Sequence, residues 1–536
     1  MIYVNQFFFK IFHQIRSIYL NSSIYDRKIS KIKNDELIYK PSPYLLSSLI
    51  KYQNKKFKID DFSLNEIWDN KNISEKDYRN LNNFYWFFSL DLKSSKKKTQ
   101  LVISNWINNN FKYNNKSWNF DLTAKRIIAW LSCHNLTYDE SNKNYKDNFN
   151  RIIQKQTNHL INEINRSNKI DDKLVGCASI ILVGLCYKNE KNYLSFGCNL
   201  LKKILKVSLD NNGFPKSRNI KQLIFYLKYL ILIREWFKES QVAIPENIDE
   251  TIYYLGQGYA FAWQNTGSDF LFNGNNITNN IHFDSYLKRL SYKFKYENND
   301  LGGYIIFKNK KICLTMDAGS SPNTKFSKDY QAGALSFEII SNGNKLISNC
   351  GYHSEKNLKF NQLSKLSATQ STLIIDDNSS CKFTKNNNSF LVKRGLKIIN
   401  KKLIFEKNYW KISASHDGYI YKYNSIHERE LEFFPEKMIF VGLDKIIKKK
   451  TNHNYKFDIR FHMEPGVKLM KTQDNKTILI ELKDEGWKFT CDKFDISIDN
   501  GIFLGKKNLI NDNQNIFITG ISNNQVEEIR WEIKKI

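Results

Sequence analysis

The stretch that decides the fold runs from Asp329 to Gly351 and reads DYQAGALSFEIISNGNKLISNCG. Between Ala334 and Ile340, alternate residues fall on two opposite faces, which is the period of a β-strand. Asn342-Gly343 then supplies a turn, because both residue types tolerate a positive φ. A second strand is expected from Lys345 to Asn349, so the stretch predicts a β-hairpin.

The chain before this hairpin carries the signals of helices. Asp121 to Leu131 has apolar residues at helical spacing, with Asp121 as a candidate N-cap, and Ile220 to Phe237 is a second long helix. Gly176 to Tyr187 is apolar on every side and contains small residues, which is typical of a helix packed closely between neighbours. Many aromatic-rich helices of this kind favour an α/α toroid.

From about residue 301 onward the sequence has the pattern of short strands joined by turns. The predicted strands are 304–307, 312–316, 371–375, 396–399, 403–406, 409–415, 477–482 and 487–491. Short strands without helices between them indicate antiparallel β-sandwich sheets. We therefore predict a multidomain protein of separate α and β parts. Residues 1–40 form an N-terminal amphipathic helical extension, 41–300 an α/α toroid (an incomplete helical barrel), and 301–536 a β-sandwich domain.

The composition is that of a large, basic, core-forming protein. The 536 residues are 41% hydrophobic and 14% aromatic, and the formal net charge is +28. Such a charge favours a polyanionic partner: nucleic acid, an anionic membrane or an acidic polysaccharide. The alternative is that the abundance of Lys, Asn and Ile reflects an A/T-biased genome. No Lys/Arg block resembles a nucleic-acid arm, so we expect no nucleic-acid partner.

The N-terminus and the cysteines give little information on the compartment. Phe8, Phe12, Ile15 and Tyr19 share one helical face, but charged residues interrupt the apolar run and no cleavage site follows. We predict an amphipathic helix docked on the body, no convincing signal peptide and no transmembrane segment. The eight cysteines form no CxxC pair and no zinc-ligand spacing.

Several motifs, in order along the chain, resemble the heparinase II/III-like polysaccharide lyases. NFYWFFSLDL, WNFDLTAKRIIAWLSC, NGFPKSRN and SDFLFNGN are similar to the toroid of the bacterial branch of that family. LTMDAGSSP, YQAGALSFE, SATQSTLII, SASHDGYIYKYNSIHERELEF and IRFHMEP are similar to its C-terminal domain. The resemblance implies a helical toroid followed by a β-sandwich, and an activity on uronate-containing polysaccharides such as a glycosaminoglycan or alginate.

The family chemistry is β-elimination, which makes three demands on a site. One group neutralises the uronate carboxylate, a base removes the adjacent proton, and an acid protonates the leaving glycosidic oxygen. The family also holds a zinc ion in the β domain with His, Asp and His. Its signature is roughly His-x-His-x-Asp-x-x-x-Phe, a turn and Asp-x-Gly.

This sequence departs from the signature at each of the zinc-ligand positions. Aligned through Phe337, the two His positions fall on Asp329 and Gln331, and the Asp position falls on Asn349. The His after the hairpin falls on Gln370. Neutral amides are poor zinc ligands, so we expect no family-type zinc and no other cofactor.

The toroid motifs depart from the family as well. The His of the family's toroid motif falls near Pro215, and the segment expected to carry the catalytic Tyr, Trp263 to Asn275, contains none. Direct transfer of the lyase mechanism is weakened by these changes.

Two residues are the predicted catalytic pair. His416 and Tyr419 flank a turn at Asp417-Gly418, where His416 can act as a base or carboxylate neutraliser and Tyr419 as an acid. The alternative is a turn that contains a hydrogen-bonded His and a packed Tyr.

Five further residues are predicted to bind substrate. Arg218 and Asn219 follow Pro215 at a loop–helix junction and can hold a carboxylate, with helix capping as the alternative. Asn273 is predicted to line the cleft, with a simple turn as the alternative. His427 and Arg429 share one face of a strand, where Arg429 can pair with a uronate or form a salt bridge on the sheet. We expect the cleft to bring Arg218 and Asn219 together with His416 and Tyr419.

The sequence leaves three functions open. The first is a lyase that cleaves an acidic polysaccharide or oligosaccharide by β-elimination. The second is a catalytically altered glycan-binding protein that keeps the fold without the family's His residues. The third, suggested by charge alone, is a nucleic-acid or membrane-surface binder. The resemblance favours the cell envelope or periplasm, while the lack of a clear signal peptide leaves the cytoplasm open.

Overall fold

The structure is a computed structural model, and it describes residues 12, 14–31, 36–47, 49, 73–91, 93–167, 169–187, 191–278, 280–353, 358–386, 389–449, 453–506 and 509–536. The contacts divide the chain into two compact units. The first, which we call the helical unit, comprises residues 1–208, 225–253 and 281–293. The second, the β unit, comprises residues 209–224, 254–280 and 294–536.

The regular structure of the described residues up to 289 is mainly helical. The α-helices there are Ser23–Ile29, Pro43–Ser47, Glu75–Asn82, Lys96–Asn110, Phe120–Ser132, His134–Thr137, Lys143–Glu163, Ile170–Cys186, Lys191–Ser208, Ile220–Glu239, Glu246–Tyr259 and Ile281–Arg289. The three long helices expected from apolar spacing are therefore present. The candidate N-cap was wrong: Asn119 precedes the Phe120–Ser132 helix, and Asp121 lies in its first turn, where it pairs with Arg79 at 2.6 Å.

The apolar helix Ile170–Cys186 shows why small residues recur in the helical unit. Its residues from Leu174 to Val183 are all buried. A Cβ atom added at Gly184 would lie 2.5 Å from the backbone nitrogen of Leu194 in the next helix. Only glycine permits the two backbones to approach so closely, so the predicted close packing is confirmed.

The β unit is built almost entirely of antiparallel strands. They are β1 Asp300–Leu301, β2 Tyr304–Lys308, β3 Ile312–Asp317, β4 Phe337–Ser341, β5 Asn344–Ile347, β6 Leu373–Ile375, β7 Lys382–Asn386, β8 Ser389–Arg394, β9 Ile398–Phe405, β10 Trp410–His416, β11 Ser425–Phe434, β12 Ile439–Lys448, β13 Tyr455–His462, β14 Lys468–Lys471, β15 Thr477–Leu482, β16 Glu485–Cys491, β17 Asp495–Phe503, β18 Asn511–Ser522 and β19 Val526–Lys535. Two short helices, Leu358–Ser364 and Ile420–Tyr423, interrupt them. The segments 396–399 and 403–406, expected as two strands, form the single strand β9.

Four sheets arise from these strands. Their orders are β1-β2-β3-β4-β5, then β14-β15-β16-β19-β12-β11-β10-β9, then β17-β18-β13-β6, and the hairpin β7-β8. The three larger sheets share one apolar core. Within it, the ring of Phe337 on β4 stacks on Trp531 of β19 at 5.5 Å, and Phe461 of β13 meets the same indole at 4.9 Å. Aromatic contacts of this kind add to the burial of apolar area, so the sheets form one packed body.

The signature hairpin is present, with a shorter first strand than expected. Strand β4 begins at Phe337, because Leu335 has a positive φ of 61° that interrupts the extended backbone. Asn342 and Gly343 form the turn with φ values of 46° and 82°, and Ser341 pairs with Asn344 across it. Both turn residues thus adopt the left-handed conformation that a tight hairpin requires.

Only part of the predicted N-terminal helix can be described. Residues 14–20 are helical, and Phe12 and Ile15 are exposed, while Phe8 lies outside the described residues. Among the helices of the described ranges, none combines the length and apolarity that a membrane span requires.

Candidate functional site

The amide side chains at the expected zinc-ligand positions are buried and bonded to protein. Gln331 is the best defined of them: its Oε1 accepts a hydrogen bond from the Gly274 amide at 3.0 Å. Its Nε2 donates to the carbonyl oxygens of Gly351 at 3.0 Å and Ser364 at 2.5 Å. The side chain therefore joins three segments of the β unit and has used its acceptor and both donors.

The other two amides make different bonds. Asn349 Oδ1 accepts from the Ser371 amide at 2.8 Å, and Gln370 Nε2 donates to Thr369 Oγ1 at 3.1 Å. Two of the three amide oxygens are thus already hydrogen-bonded, and a neutral amide is a poor zinc ligand in any case. These residues do not fit the zinc ion that the resemblance implies. Across the described ranges, no group of three or more His, Cys, Asp or Glu side chains is placed to hold a metal.

Arg218 is the centre of a buried polar group. All five of its N–H groups face acceptors: the carbonyl oxygens of Gly302, Gly303, Gly319 and Ser320, and the carboxylate of Asp317 at 2.6 Å. Burial opposes its charge, but the Asp317 carboxylate raises the pKa of the guanidinium above its usual value. Binding of a substrate carboxylate by Arg218 stays a prediction, and it would require some of these bonds to break.

Asn273 belongs to the same group. Its Nδ2 donates to Asp317 Oδ2 at 2.9 Å and to the Tyr304 hydroxyl at 2.6 Å, and the residue is almost fully buried. The Tyr304 hydroxyl donates in turn to the carbonyl oxygen of Arg218 at 2.5 Å. The structure therefore brings the predicted residues Arg218 and Asn273 together, around a carboxylate of the protein itself.

Asn219 connects this group to the signature hairpin. Its Oδ1 accepts from the amides of Lys221 at 2.8 Å and Gln222 at 3.3 Å, as an N-cap does at the start of the Ile220–Glu239 helix. Its Nδ2 points to Asp329 Oδ2 at 3.4 Å. Gly274, with a φ of +83°, lies against both, because an added Cβ would come within 2.8 Å of each side chain. Capping and contact with the hairpin are thus combined in one residue.

Asp329, Tyr352, Lys365 and Asn219 form what we call the hairpin cluster. Asp329, at the position of the family's first His, is half-buried and accepts a hydrogen bond from the Tyr352 hydroxyl at 3.0 Å. Lys365 Nζ donates to the carbonyl oxygens of Tyr330 at 3.2 Å and Lys328. The same ammonium lies 5.6 Å from the centre of the Tyr352 ring.

The proton affinities in the hairpin cluster are strongly perturbed. Burial lowers the pKa of Lys365 to about 8, although the Asp329 carboxylate opposes that shift. Burial and the neighbouring Asp329 carboxylate both raise the pKa of Tyr352 well above its usual range. Near neutral pH, Lys365 can therefore exchange a proton, while Tyr352 remains a hydroxyl donor.

His416 and His427 belong to a second, fully buried polar chain. They are opposite each other on β10 and β11, with His416 Nε2 3.3 Å from His427 Nδ1. His427 Nε2 lies 2.7 Å from Asp444 Oδ1, and Arg429 pairs with both oxygens of Asp444 at 2.8 and 3.0 Å. Arg429 also donates to two backbone carbonyls. The salt bridge expected as the alternative for Arg429 is present, inside the core rather than on the sheet surface.

Of the predicted catalytic pair, Tyr419 alone lines an open space. His416 Nδ1 accepts from the Gly418 amide at 3.0 Å, so the turn holds this imidazole inward. Tyr419 lines a cleft of about 730 Å³ that Lys365 also lines, although its hydroxyl donates to the Leu373 carbonyl at 2.9 Å. The rings of His416 and Tyr419 lie 5.6 Å apart. Their catalytic roles stay a prediction, as does their convergence with Arg218 and Asn219.

The sequence reasoning missed Tyr352 and Lys365 as site residues. Tyr352 directly follows the Cys350-Gly351 end of the hairpin, and Lys365 precedes the Gln370 motif by five residues. Proximity to those motifs was the available signal. The perturbed pKa of Lys365 arises from burial, which an isolated Lys in a polar stretch does not reveal.

Comparisons with known proteins agree with this architecture. Residues 296–532 match the family model described as Heparinase II/III-like, C-terminal. A crystal structure of heparinase III shares 15% identity with the chain at a TM-score of 0.67, over 98% of this chain and 91% of that one. The heparan sulfate lyase HepC from Pedobacter heparinus shares 12% identity at a TM-score of 0.66, over 95% and 85%. A second heparinase III structure shares 14% identity at a TM-score of 0.69, over 94% and 87%. No curated protein sequence matches the chain.

The fold thus defines a class of protein in which a helical toroid precedes an antiparallel β-sandwich, and the predicted fold class is confirmed. Within that class, residues 296–532 match the heparinase II/III-like C-terminal domain, so the family resemblance read from the motifs is also confirmed. At sequence identities of 11–15%, the similarity to these solved structures supports the fold and not the roles of individual residues.

Proposed function

We propose that this protein is a polysaccharide lyase that cleaves an acidic, uronate-containing polysaccharide by β-elimination. The observation that carries the proposal is the hairpin cluster: a buried Lys365 with a pKa of about 8, beside the Tyr352–Asp329 hydrogen bond. Perturbed titratable groups concentrate at functional sites. This cluster lies at the hairpin that, by the family resemblance, carries metal-binding residues in the lyases.

Each chemical demand of β-elimination has a candidate here. Neutral Lys365 is the base, because a pKa near 8 leaves an appreciable unprotonated fraction at neutral pH. Tyr352 is the acid, because its raised pKa keeps the hydroxyl protonated. The amide of Asn219 donates to the half-buried Asp329 at 3.4 Å and is the candidate for holding the uronate carboxylate.

Tyr419 remains an alternative acid. It shares the lining of the cleft with Lys365, and burial raises its pKa as well. His416, the second residue of the pair predicted from sequence, is held by the Gly418 amide and by His427. A catalytic role for His416 would need those bonds to open, whereas a neutral Lys365 can keep its two bonds to the carbonyls of Lys328 and Tyr330 and still offer its lone pair.

A second candidate function is glycan binding without cleavage. The observation that favours it is the set of neutral amides at the predicted zinc-ligand positions, Gln331, Asn349 and Gln370. The amide of Gln331 makes three hydrogen bonds within the protein instead of binding a metal. A protein that keeps the cleft and the fold but has lost the base would bind acidic glycans and release no product.

Ultraviolet absorbance of the unsaturated uronate product separates the two functions. The expected result is absorbance with one or more acidic polysaccharides of a panel and none with a neutral glucan. Lys365→Met and Tyr352→Phe should each lower kcat by roughly 10²–10⁴-fold, the usual contribution of a proton-transfer group. Tyr419→Phe also removes one buried hydroxyl, so the variant with the larger loss of kcat identifies which of the two candidate tyrosines is the acid.

The pH dependence tests the assignment of the base. With Lys365 as the base, kcat/KM should rise as the pH increases through about 8 and then level off, because the neutral amine is the active form. A rate that falls over the same pH interval would instead make Lys365 the cation that neutralises the uronate. Equal losses in both tyrosine variants, with melting temperatures lowered to match, would remove Tyr352 from the mechanism.

A further inference from the structure

The cleft that contains Lys365 and Tyr419 carries a strong excess of positive charge. We call it the basic cleft; it lies within residues 362–423 of the β unit and has a volume of about 730 Å³. Lys365 lies at its inner wall, and Lys382, Lys385, Arg394 and Lys422 are spaced around its rim. Among the described residues that line it, Asp377 is the one carboxylate.

Within the described ranges, Lys382, Lys385, Arg394 and Lys422 form no ion pair with a carboxylate. The side chain of Asp377 is mostly exposed. It lies 4.0 Å from Arg460, a residue that does not line the cleft. Lys422 donates to the neutral amide oxygen of Asn378 at 2.9 Å, and the buried Lys365 donates only to backbone carbonyls. Like charges gathered around one concave surface repel each other, and an anion bound among them relieves that repulsion.

An exposed aromatic ring forms part of the same surface. Tyr421 is 74% exposed, which is unusual for a large aromatic residue, and Arg394 stacks over its ring at 3.2 Å. This stack pre-orients a guanidinium that has no carboxylate partner in the described structure. Phe383 and Phe390 add apolar area to the wall beside it. A ligand suited to this lining has flat apolar faces and several negative charges.

We propose that the basic cleft binds the acidic oligosaccharide chain beyond the point of cleavage, as an extended subsite. The chemical class is a polyanionic glycan with carboxylate or sulfate groups spaced along sugar rings, the rings lying against Tyr421 and the charges at Lys382, Lys385 and Arg394. This inference rests on the proposed function for the choice of a glycan. Lys365 connects the two sites, because it lines the basic cleft and belongs to the hairpin cluster.

Binding of fluorescent oligosaccharides, read by anisotropy immediately after mixing, tests the proposal on the full chain. The probes are an oligouronate, a sulfated oligosaccharide of equal length, a neutral oligosaccharide and a single-stranded DNA of equal charge. The double variant Lys385→Gln/Arg394→Gln should weaken binding of an acidic oligosaccharide about tenfold, from two partly exposed charge contacts. The affinity of the unmodified protein should fall with added salt.

Lys393→Gln/Lys402→Gln is the matched control, since it removes two exposed lysines of β8 and β9 that do not line the cleft. It should change the affinity less than twofold. An equal loss in the control, or equally tight binding of the DNA, would overturn the proposal in favour of a general basic surface. The probe that binds more tightly, carboxylated or sulfated, identifies the anion.

The binding assay also separates this proposal from the lyase proposal. Specific binding that depends on Lys385 and Arg394, without product from any polysaccharide, would uphold the subsite and refute the lyase. Cleavage with an unchanged KM in the double variant would uphold the lyase and refute the subsite. Tyr421→Ala provides a further check on the ring contact, because this exposed residue can change without disturbing the core. The substitution should lower the affinity for the acidic oligosaccharide several-fold.

Discussion

His416 and His427 face each other across strands β10 and β11, and 3.3 Å separates Nε2 of the first from Nδ1 of the second. Two imidazoles this close and this deeply buried cannot both be positively charged without strong repulsion. Burial lowers the pKa of His416 well below its usual range, and the charges of His427 and Arg429 lower it further. Burial also lowers the pKa of His427, against the opposing effect of Asp444.

This relationship predicts that the protein loses stability in mild acid. Both imidazoles bind a second proton more weakly in the folded state than in the unfolded chain, which protonates them below a pH of about 6.5. The free energy of unfolding is therefore greatest above that pH and falls as the pH decreases, by up to about 1.4 kcal/mol per pH unit for each such His. His159 and His462, whose pKa values burial lowers to about 3 and about 4, act in the same direction.

Urea unfolding at pH 7.5 and 5.5 measures that loss. His416→Gln keeps an acceptor for the Gly418 amide and should reduce the difference between the two pH values. His453→Gln, at an exposed position, should leave the difference unchanged. Equal differences in unmodified protein and His416→Gln would mean that this imidazole is already protonated in the fold.

Arg218→Lys should destabilise the protein although the charge is kept. A lysine offers three donors in place of the five that Arg218 uses, so at least two acceptors among the surrounding carbonyls and Asp317 lose their partner. The expected decrease in the free energy of unfolding is about 2–4 kcal/mol. Arg394→Lys, at an exposed position, is the control and should change it by less than about 0.5 kcal/mol. A normally stable Arg218→Lys protein with a raised KM would instead make Arg218 a substrate ligand.

Gln331→Ala should lower stability without altering the metal content. The change removes three hydrogen bonds and leaves the Gly274 amide and the carbonyls of Gly351 and Ser364 without this partner, at a cost of about 2–4 kcal/mol. Elemental analysis of the purified protein and the variant should show no stoichiometric zinc in either. One tightly held zinc per chain, absent from Gln331→Ala, would refute the hydrogen-bonding role.

The sequence predicted the architecture well because its signals are local. Hydrophobic period and turn chemistry located the long helices, the Asn342-Gly343 turn and most strands. The start of β4 was misplaced, because the positive φ of Leu335 is imposed by packing and no turn residue marks it. The two-strand prediction over β9 failed because a polar stretch between apolar pairs remained extended on an exposed sheet edge. The predicted boundaries at residues 40 and 300 remain a prediction.

The candidate site was harder to predict, because burial decides what a polar side chain does. Arg218 and Arg429 look like free cations in the sequence, yet each is enclosed by acceptors from distant segments, Asp317 and Asp444 among them. Lys365 shows the reverse: nothing local marks it, and its proton affinity arises from tertiary packing against the hairpin. The placement of Gln331, Asn349 and Gln370 at the family's zinc-ligand positions stays a prediction of the motif alignment.

Cleavage of an acidic glycan by elimination can be distinguished from hydrolysis by the oxygen atoms of the products. An oligouronate is incubated with the protein in water enriched in heavy oxygen, and the products are weighed by mass spectrometry. Elimination breaks the glycosidic bond without adding water, so we expect an unsaturated product and no heavy oxygen at the new ends beyond the exchange that a reducing oligouronate undergoes alone in the same water. Incorporation of one heavy oxygen per cleavage would show hydrolysis, and intact oligouronate that nevertheless binds would show a glycan-binding protein; either result would contradict the account.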